Sequence, residues 1–128
     1  MSLLQPILKS LRRSDATFYP SGRIDIGANI VRVLNLHPKD VIGLSYDEEN
    51  NILIYRRLTA DERLYTCRYA GTLFSSHIGQ VSLRANVVQF CRHLLDHFHD
   101  SKPPLRFSMG DVVEYPVIGT CVNLVIIK

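Results

Sequence analysis

The chain carries one short segment twice. Residues 22–34, GRIDIGANIVRVL, align without a gap on residues 79–91, GQVSLRANVVQFC, fifty-seven positions further along. After each copy comes an Asp followed by branched apolar residues, and then an apolar segment that ends in a basic residue. Because a unit this short cannot bury its own apolar face, the repeat predicts two similar halves that share one hydrophobic core.

Composition indicates one folded domain. An apolar fraction of 46% with a charged fraction of 21% is typical of a globular protein and excludes a disordered chain. Cys67, Cys91 and Cys121 are widely spaced and odd in number, which favours reduced thiols over a disulfide framework. Apolar runs are too short for a bilayer, and residues 1–9 lack the order of a signal peptide, so we expect a cytoplasmic protein with no membrane contact.

The expected organisation is a single domain, residues 1–128. It begins with an amphipathic helix in residues 1–15, where leucine and isoleucine recur at helical spacing. The first half then occupies residues 16–57, a linker residues 58–70, and a second, more divergent half residues 71–128. In each half we expect two strands, a helix and two further strands. In the first half, 40–46 and 52–56 are expected to form a hairpin. In the second half, the returning strand is expected at 80–83, and later strands at 105–107, 112–115 and 121–127.

Two asparagines mark the expected helix starts. Asn29 and Asn86 each precede an apolar stripe and are therefore predicted to be N-caps. The first helix is expected to bury Ile30, Val33 and Leu34. The second helix is longer, and its stripe, at helical spacing throughout, comprises Val87, Phe90, Cys91, Leu94, Leu95 and Phe98.

The first half resembles the AbrB/SpoVT family. The resemblance rests on the SGRIDI run at 21–26, LNL at 34–36, KDV at 39–41 and the apolar segment 52–54 that follows an acidic turn. Members of that family are small DNA-binding proteins, namely transition-state regulators, antitoxins and tandem MraZ-like proteins. The fold class that this implies is α+β and mainly β: a pseudo-two-fold swapped-hairpin barrel built from two ββαββ halves, plus the N-terminal helix.

The same resemblance implies a non-catalytic DNA-binding transcriptional regulator or antitoxin-like protein. Its partner would be double-stranded DNA or a toxin, with no cofactor and no metal, and a homodimer is left open. A net charge of +3 permits such a polyanionic partner without demanding it. The residues expected to contact DNA are Arg23, Arg32, Arg12, Arg13 and Arg84. The alternative for these arginines is a solvated surface or ion pairs with Asp25 and Asp15.

Two alternatives remain at this stage. The first is a protein-interaction barrel, which is favoured by neutral residues at positions where the family is basic. In it, the N-terminal helix or the long second helix would dock a partner. The second is a metal protein or enzyme that uses His93, His97 and His99, although a solvated helix end is the favoured interpretation of these histidines. The neutral residues that favour the protein-interaction barrel are Ala16, Thr17, Gln80 and Gln89.

Overall fold

A computed structural model describes residues 14–46, 51–57, 69–75, 82–116 and 118–127. The predicted N-terminal helix, with Arg12 and Arg13, lies outside these described residues. So does all of the predicted linker except its last two positions.

The described residues form nine strands and two helices. Neither of these helices is long and apolar enough to cross a membrane. The helices are α1 Ala28–Leu34 and α2 Val88–His97. The strands are β1 Ala16–Phe18, β2 Arg23–Ile26, β3 Val41–Tyr46, β4 Ile52–Arg56, β5 Tyr69–Thr72, β6 Phe74–Ser75, β7 Leu83–Asn86, β8 Leu105–Tyr115 and β9 Gly119–Ile126.

The strands build a mainly β, nearly closed antiparallel barrel. They form one sheet in the order β5-β3-β4-β9-β8-β1-β2-β7-β6. The sheet curls until β5 comes close to β7 and the residue that follows it. A Cβ on Gly71 would lie 2.7 Å from Cγ2 of Val87 and 3.3 Å from Cβ of Ala85. This close approach nearly joins the two ends of the sheet.

Strands from the early and late parts of the chain alternate around the barrel. β1 pairs with β2 on one side and with β8 on the other. The segment that contains β5 and β6 also pairs with both parts of the chain, because β5 pairs with β3 of the early part and β6 pairs with β7 of the late part. The β2–β7 and β4–β9 pairings complete the order. Each part of the chain therefore supplies strands that lie between strands of the other part.

The barrel interior is apolar, and the two helices extend it. Phe18 lies at its centre, with ring centroids 5.7 Å from Phe90 and 5.3 Å from Phe107. α1 follows the end of β2, whereas α2 follows the end of β7 that pairs with the start of β2. The helices therefore begin at opposite ends of one ladder. They bury Ile30, Val31 and Leu34 from α1, and Phe90, Cys91 and Leu94 from α2.

Both predicted N-caps are wrong. The N-cap of α1 is Gly27, whose N–H donates to the Asp15 carbonyl at 2.8 Å, and Asn29 lies inside the helix. Asn86 is the last residue of β7, so Val87 takes the cap position of α2. The start of each helix is therefore set by a main-chain contact with a neighbouring segment.

The buried face of α1 also differs from the prediction. Val33 is 39% exposed, and Val31 is buried in its place. The helix starts at Ala28 and packs through Ile30, Val31 and Leu34. This turns Val33 towards solvent.

The two parts of the chain match in a different register from the one that their sequences suggest. β2 begins at Arg23 and β7 at Leu83, sixty residues apart. The helix starts are also sixty residues apart. The predicted shift of fifty-seven is therefore too short, because it placed Arg84 with Gly27 and the returning strand at 80–83. Two further predicted strands, at 105–107 and 112–115, are one strand, β8, with an irregularity between Met109 and Val112.

Candidate nucleic-acid interface

Four strands present a row of polar side chains on the outside of the barrel. In this row Arg106 on β8 is opposite Thr17 on β1, Thr17 is opposite Asp25 on β2, and Asp25 is opposite Arg84 on β7. Directly opposed residues of antiparallel strands share one face of the sheet. The next row is buried in the barrel, so the polar row faces outwards; within it Thr17 is buried, whereas Arg84 is half-buried and Arg106 is exposed. We call Arg23, Asp25, Arg84 and Arg106 the arginine face.

One carboxylate joins two of the predicted arginines. Asp25 Oδ1 lies 3.2 Å from Nε of Arg23 and 3.0 Å from Nε of Arg84. Arg23 Nη2 donates to Asp25 Oδ2 at 3.3 Å, and the Tyr19 hydroxyl donates to the same oxygen at 3.1 Å. Two guanidinium groups thus share one carboxylate, which leaves an excess of one positive charge. The three side chains remain 37%, 30% and 32% exposed for Arg23, Asp25 and Arg84.

An aromatic ring fixes the position of Arg23. Its Cζ atom lies 3.9 Å from the centroid of the Tyr19 ring, within the range of a cation–π contact. The Tyr19 side chain, and after it the charge of Asp25, raises the pKa of Arg23. The guanidinium group is therefore permanently charged, and its plane is oriented by a neighbour other than Asp25.

Arg32 lies elsewhere, on the exposed side of α1. Its Nη2 donates to Oδ1 of Asn29 at 2.6 Å, and Asn29 Nδ2 donates to Oδ1 of Asp15 at 3.1 Å. The second oxygen of Asp15 accepts the Met109 N–H at 2.7 Å. Arg32 is therefore part of a chain of hydrogen bonds that ties α1 to β8. The structure does not bring it to the Asp25 carboxylate.

Arg106 is a member of the arginine face that the sequence analysis missed. It is exposed, whereas its neighbours Leu105 and Phe107 are buried. The signal was available, because an apolar–Arg–apolar triplet in a predicted strand places the arginine on the outer face. Nothing in the triplet, however, indicates that β8 pairs with β1.

The histidines in and after α2 are spread over an exposed helix end. His93 and His97 are exposed on α2, and the ring of His97 stacks edge-on against Phe98 at 4.8 Å between centroids. His99 Nε2 lies 3.4 Å from Asp100 Oδ1. Across the part of the chain that the structure describes, no three His, Cys, Asp or Glu side chains come together as metal ligands would.

Two cysteines are buried in different places. Cys91 lies in the barrel interior, and Cys121 lies on the outside of the sheet between β4 and β8. Burial raises the pKa of each thiol to about 11, and the charge of Glu114 adds to the effect at Cys121. Both thiols are therefore protonated at neutral pH, and a neutral thiol is a poor nucleophile and metal ligand.

A second outer face is apolar. Leu53 and Tyr55 on β4 and Cys121 on β9 form a small cluster that is separate from the barrel interior, and we call these three the apolar outer face. The Tyr55 ring covers Gly43 so closely that a Cβ there would lie 2.3 Å from its Cζ atom. Further along, the β8–β9 hairpin exposes the valines Val112, Val113 and Val125.

Comparison with known proteins gives no match. No protein-family model matches the chain, and neither a curated protein nor a solved structure matches it.

Proposed function

We propose that this protein is a non-catalytic, double-stranded-DNA-binding regulator whose arginine face contacts the phosphate backbone. One observation carries the proposal: Arg23 and Arg84, from two distant parts of the chain, converge on a single carboxylate on the outside of the barrel. Arginines supply much of the affinity for DNA by neutralising phosphates and releasing counterions. Arg106 extends the same basic surface by two strands.

The strand order supports the same assignment at the level of the fold. A swapped-hairpin barrel requires the first hairpin of each half to pair with the second hairpin of the other half. The β1–β8 and β3–β5 pairings fit that requirement. They favour two AbrB-like halves that interleave in one chain, as in the tandem members of the family.

The spacing of the arginines suits a duplex. Arg84 and Arg106 lie three strands apart, which is roughly 14 Å at about 4.8 Å per strand. A B-form major groove is about 12 Å wide, so long side chains at this spacing reach phosphates on both sides of it. Selectivity would then come from groove shape and DNA bending, and the regulatory effect from steric occupation of the site.

The experiment measures duplex binding at low salt by fluorescence anisotropy. Arg23→Gln combined with Arg84→Gln should weaken binding by at least about tenfold, because two phosphate contacts are lost. Arg92→Gln combined with Lys39→Gln is the matched control, since it removes the same charge at two exposed positions elsewhere. Equal loss in both variants, or no binding by the unaltered protein, would contradict the proposal.

The exposed valines favour a second candidate, a protein-interaction barrel. Val112 and Val125 are 49% and 51% exposed on the β8–β9 hairpin. The outward side of α2 offers a poorer surface, because it is polar at Gln89 and Arg92. Sedimentation of the full chain tests this candidate: Val112→Ser with Val125→Ser should abolish self-association if the hairpin is the interface. An unchanged sedimentation profile would count against it.

A further inference from the structure

We propose that Asp25 competes with DNA phosphate for Arg23 and Arg84, so that the free protein holds its own binding site partly closed. This inference rests on the proposed function, and it assigns a regulatory role to a residue that the sequence analysis did not single out as part of the site. The observation behind it is the shared carboxylate, with contacts from both Nε atoms and from the Tyr19 hydroxyl.

The groups around Asp25 are those that would bind a phosphate. Two guanidinium groups and one phenolic hydroxyl surround its two oxygens. Guanidinium groups bind carboxylate and phosphate through the same planar pattern of donors. In the free protein the side chain of Asp25 therefore occupies the position that a phosphate oxygen would take.

The backbone of Asp25 is held in place, so its carboxylate stays beside the two arginines as a DNA phosphate approaches. Asp25 is in the middle of β2, and that strand pairs with β1 on one side and with β7 on the other. Its Oδ1 atom and Nε of Arg23 are shielded from solvent. About a third of each arginine side chain is accessible, so an incoming phosphate can contact these side chains while Asp25 remains paired with them. Binding thus requires the arginines to exchange one anion for another.

Two roles for Asp25 make opposite predictions. If it only positions the arginines, its removal loosens them and weakens binding. Tyr19 also orients Arg23, however, through the stacking contact at 3.9 Å, and its hydroxyl can still donate to the oxygen that Asp25→Asn retains. Removing the carboxylate then mainly removes a negative charge beside the phosphate and a competitor for two guanidinium groups. Competition therefore predicts that loss of the charge strengthens binding.

The test compares Asp25→Asn with the unaltered protein in duplex binding at low salt. Asparagine retains an oxygen that can accept the Tyr19 hydroxyl but removes the charge. We expect binding about fivefold tighter, the effect of one unit charge a few ångströms from a phosphate in water. Asp111→Asn is the matched control, because it removes the same charge from an exposed position on the β8–β9 hairpin. Its affinity should be unchanged.

The outcomes separate this inference from the proposed function. If the unaltered protein binds duplex and Asp25→Asn binds equally or more weakly, the competition is wrong and the proposed function stands. If neither binds duplex, the proposed function fails, and NMR titration with inorganic phosphate then decides the inference. Larger shifts of the Arg23 and Arg84 Nε–H signals in Asp25→Asn would support competition, and equal or smaller shifts would overturn it.

A second variant keeps the test decisive if Asp25→Asn does not fold. Thermal unfolding shows whether Asp25→Asn retains the native fold. If it does not, Asp25→Ser takes its place in the same measurements, because a serine removes the charge and fits any outward strand position. Tighter binding by Asp25→Ser supports the competition, and equal or weaker binding overturns it.

Discussion

The two outer faces of this barrel are built from the same kind of strand but carry opposite chemistry. The arginine face alternates as a solvated antiparallel sheet does, with apolar residues inside and charged ones outside. On the apolar outer face, Leu53 and Tyr55 are buried although they point away from the barrel interior. The comparison shows that outward-facing positions of one barrel are used in two ways: Leu53 and Tyr55 are buried against neighbouring side chains, whereas Arg23 and Arg84 keep about a third of their surface exposed.

The largest expected effect is a difference in how much side chains on the two faces contribute to the free energy of unfolding. Tyr55→Ala removes a fully buried ring that covers Gly43, and we expect it to lower the free energy of unfolding by about 3–5 kcal/mol. Phe74→Ala removes a ring that is 41% exposed beside Arg84, so its effect should be below about 1 kcal/mol. Denaturant unfolding of both variants checks this. Similar losses would mean that the two faces do not differ in packing.

A second prediction compares the buried thiols of the interior and the apolar outer face. Their pKa of about 11 leaves each far less ionised than an exposed thiol. Alkylation of Cys91 and Cys121 near neutral pH should therefore be roughly a hundredfold slower in the folded than in the unfolded protein. Site-resolved mass spectrometry gives both rates. Fast labelling of Cys121 alone would show that the apolar outer face opens.

The same thiols predict how stability depends on pH. Their pKa is raised on folding, so the stabilisation that they contribute is complete below pH 9, where folded and unfolded thiols are both protonated. It is lost as the pH rises from 9 to about 11, because only the unfolded thiols ionise in that range. Replacing both with Ala should flatten this part of the stability curve. An unchanged slope would contradict the assigned pKa values.

A fourth prediction concerns the turn that joins the arginine face to α2. Gly22 has a φ of 99°, and a Cβ there would lie 2.9 Å from Cα of Val88. Its carbonyl also accepts the Val87 N–H at 2.8 Å. We expect Gly22→Ala to cost about 2 kcal/mol, whereas Ser21→Ala, at the exposed neighbouring position, should cost little. Thermal unfolding of both variants provides the comparison, and equal melting temperatures would refute it.

The smallest expected effect on stability is that of a substitution on the arginine face. Arg84→Gln removes one partner of a half-exposed ion pair, so it should change the free energy of unfolding by less than about 1 kcal/mol. The same substitution should weaken duplex binding. Chemical denaturation and anisotropy on one protein preparation test both statements. A large loss of stability would mean that Arg84 serves the fold and not the ligand.

Local patterns in the sequence were sufficient to predict much of the fold. The β3–β4 hairpin and the buried stripe of α2 are confirmed, because each depends on the periodicity of one short segment. The starts of the helices could not be predicted in this way. They depend on main-chain contacts to Asp15 and Gly22, which are distant in sequence from the caps that they fix.

In the candidate site, too, the residue types could be predicted from short segments, whereas their contacts could not. Arg23 and Arg84 were predicted as DNA contacts from the resemblance, but nothing in either segment indicates that both meet Asp25. That meeting depends on the β2–β7 register, and the sequence alignment placed the returning strand at 80–83, whereas β7 is Leu83–Asn86. Pairing between distant strands is set by tertiary packing of both faces, which a single sequence does not show.

The salt dependence of duplex binding tests the central claim most directly. The logarithm of affinity falls linearly with the logarithm of salt concentration, with a slope of about −0.9 per phosphate neutralised. If Arg23 and Arg84 each neutralise one phosphate, Arg23→Gln with Arg84→Gln should make that slope shallower by about 1.8. An unchanged slope in the double variant would show that the arginine face does not contact the DNA backbone.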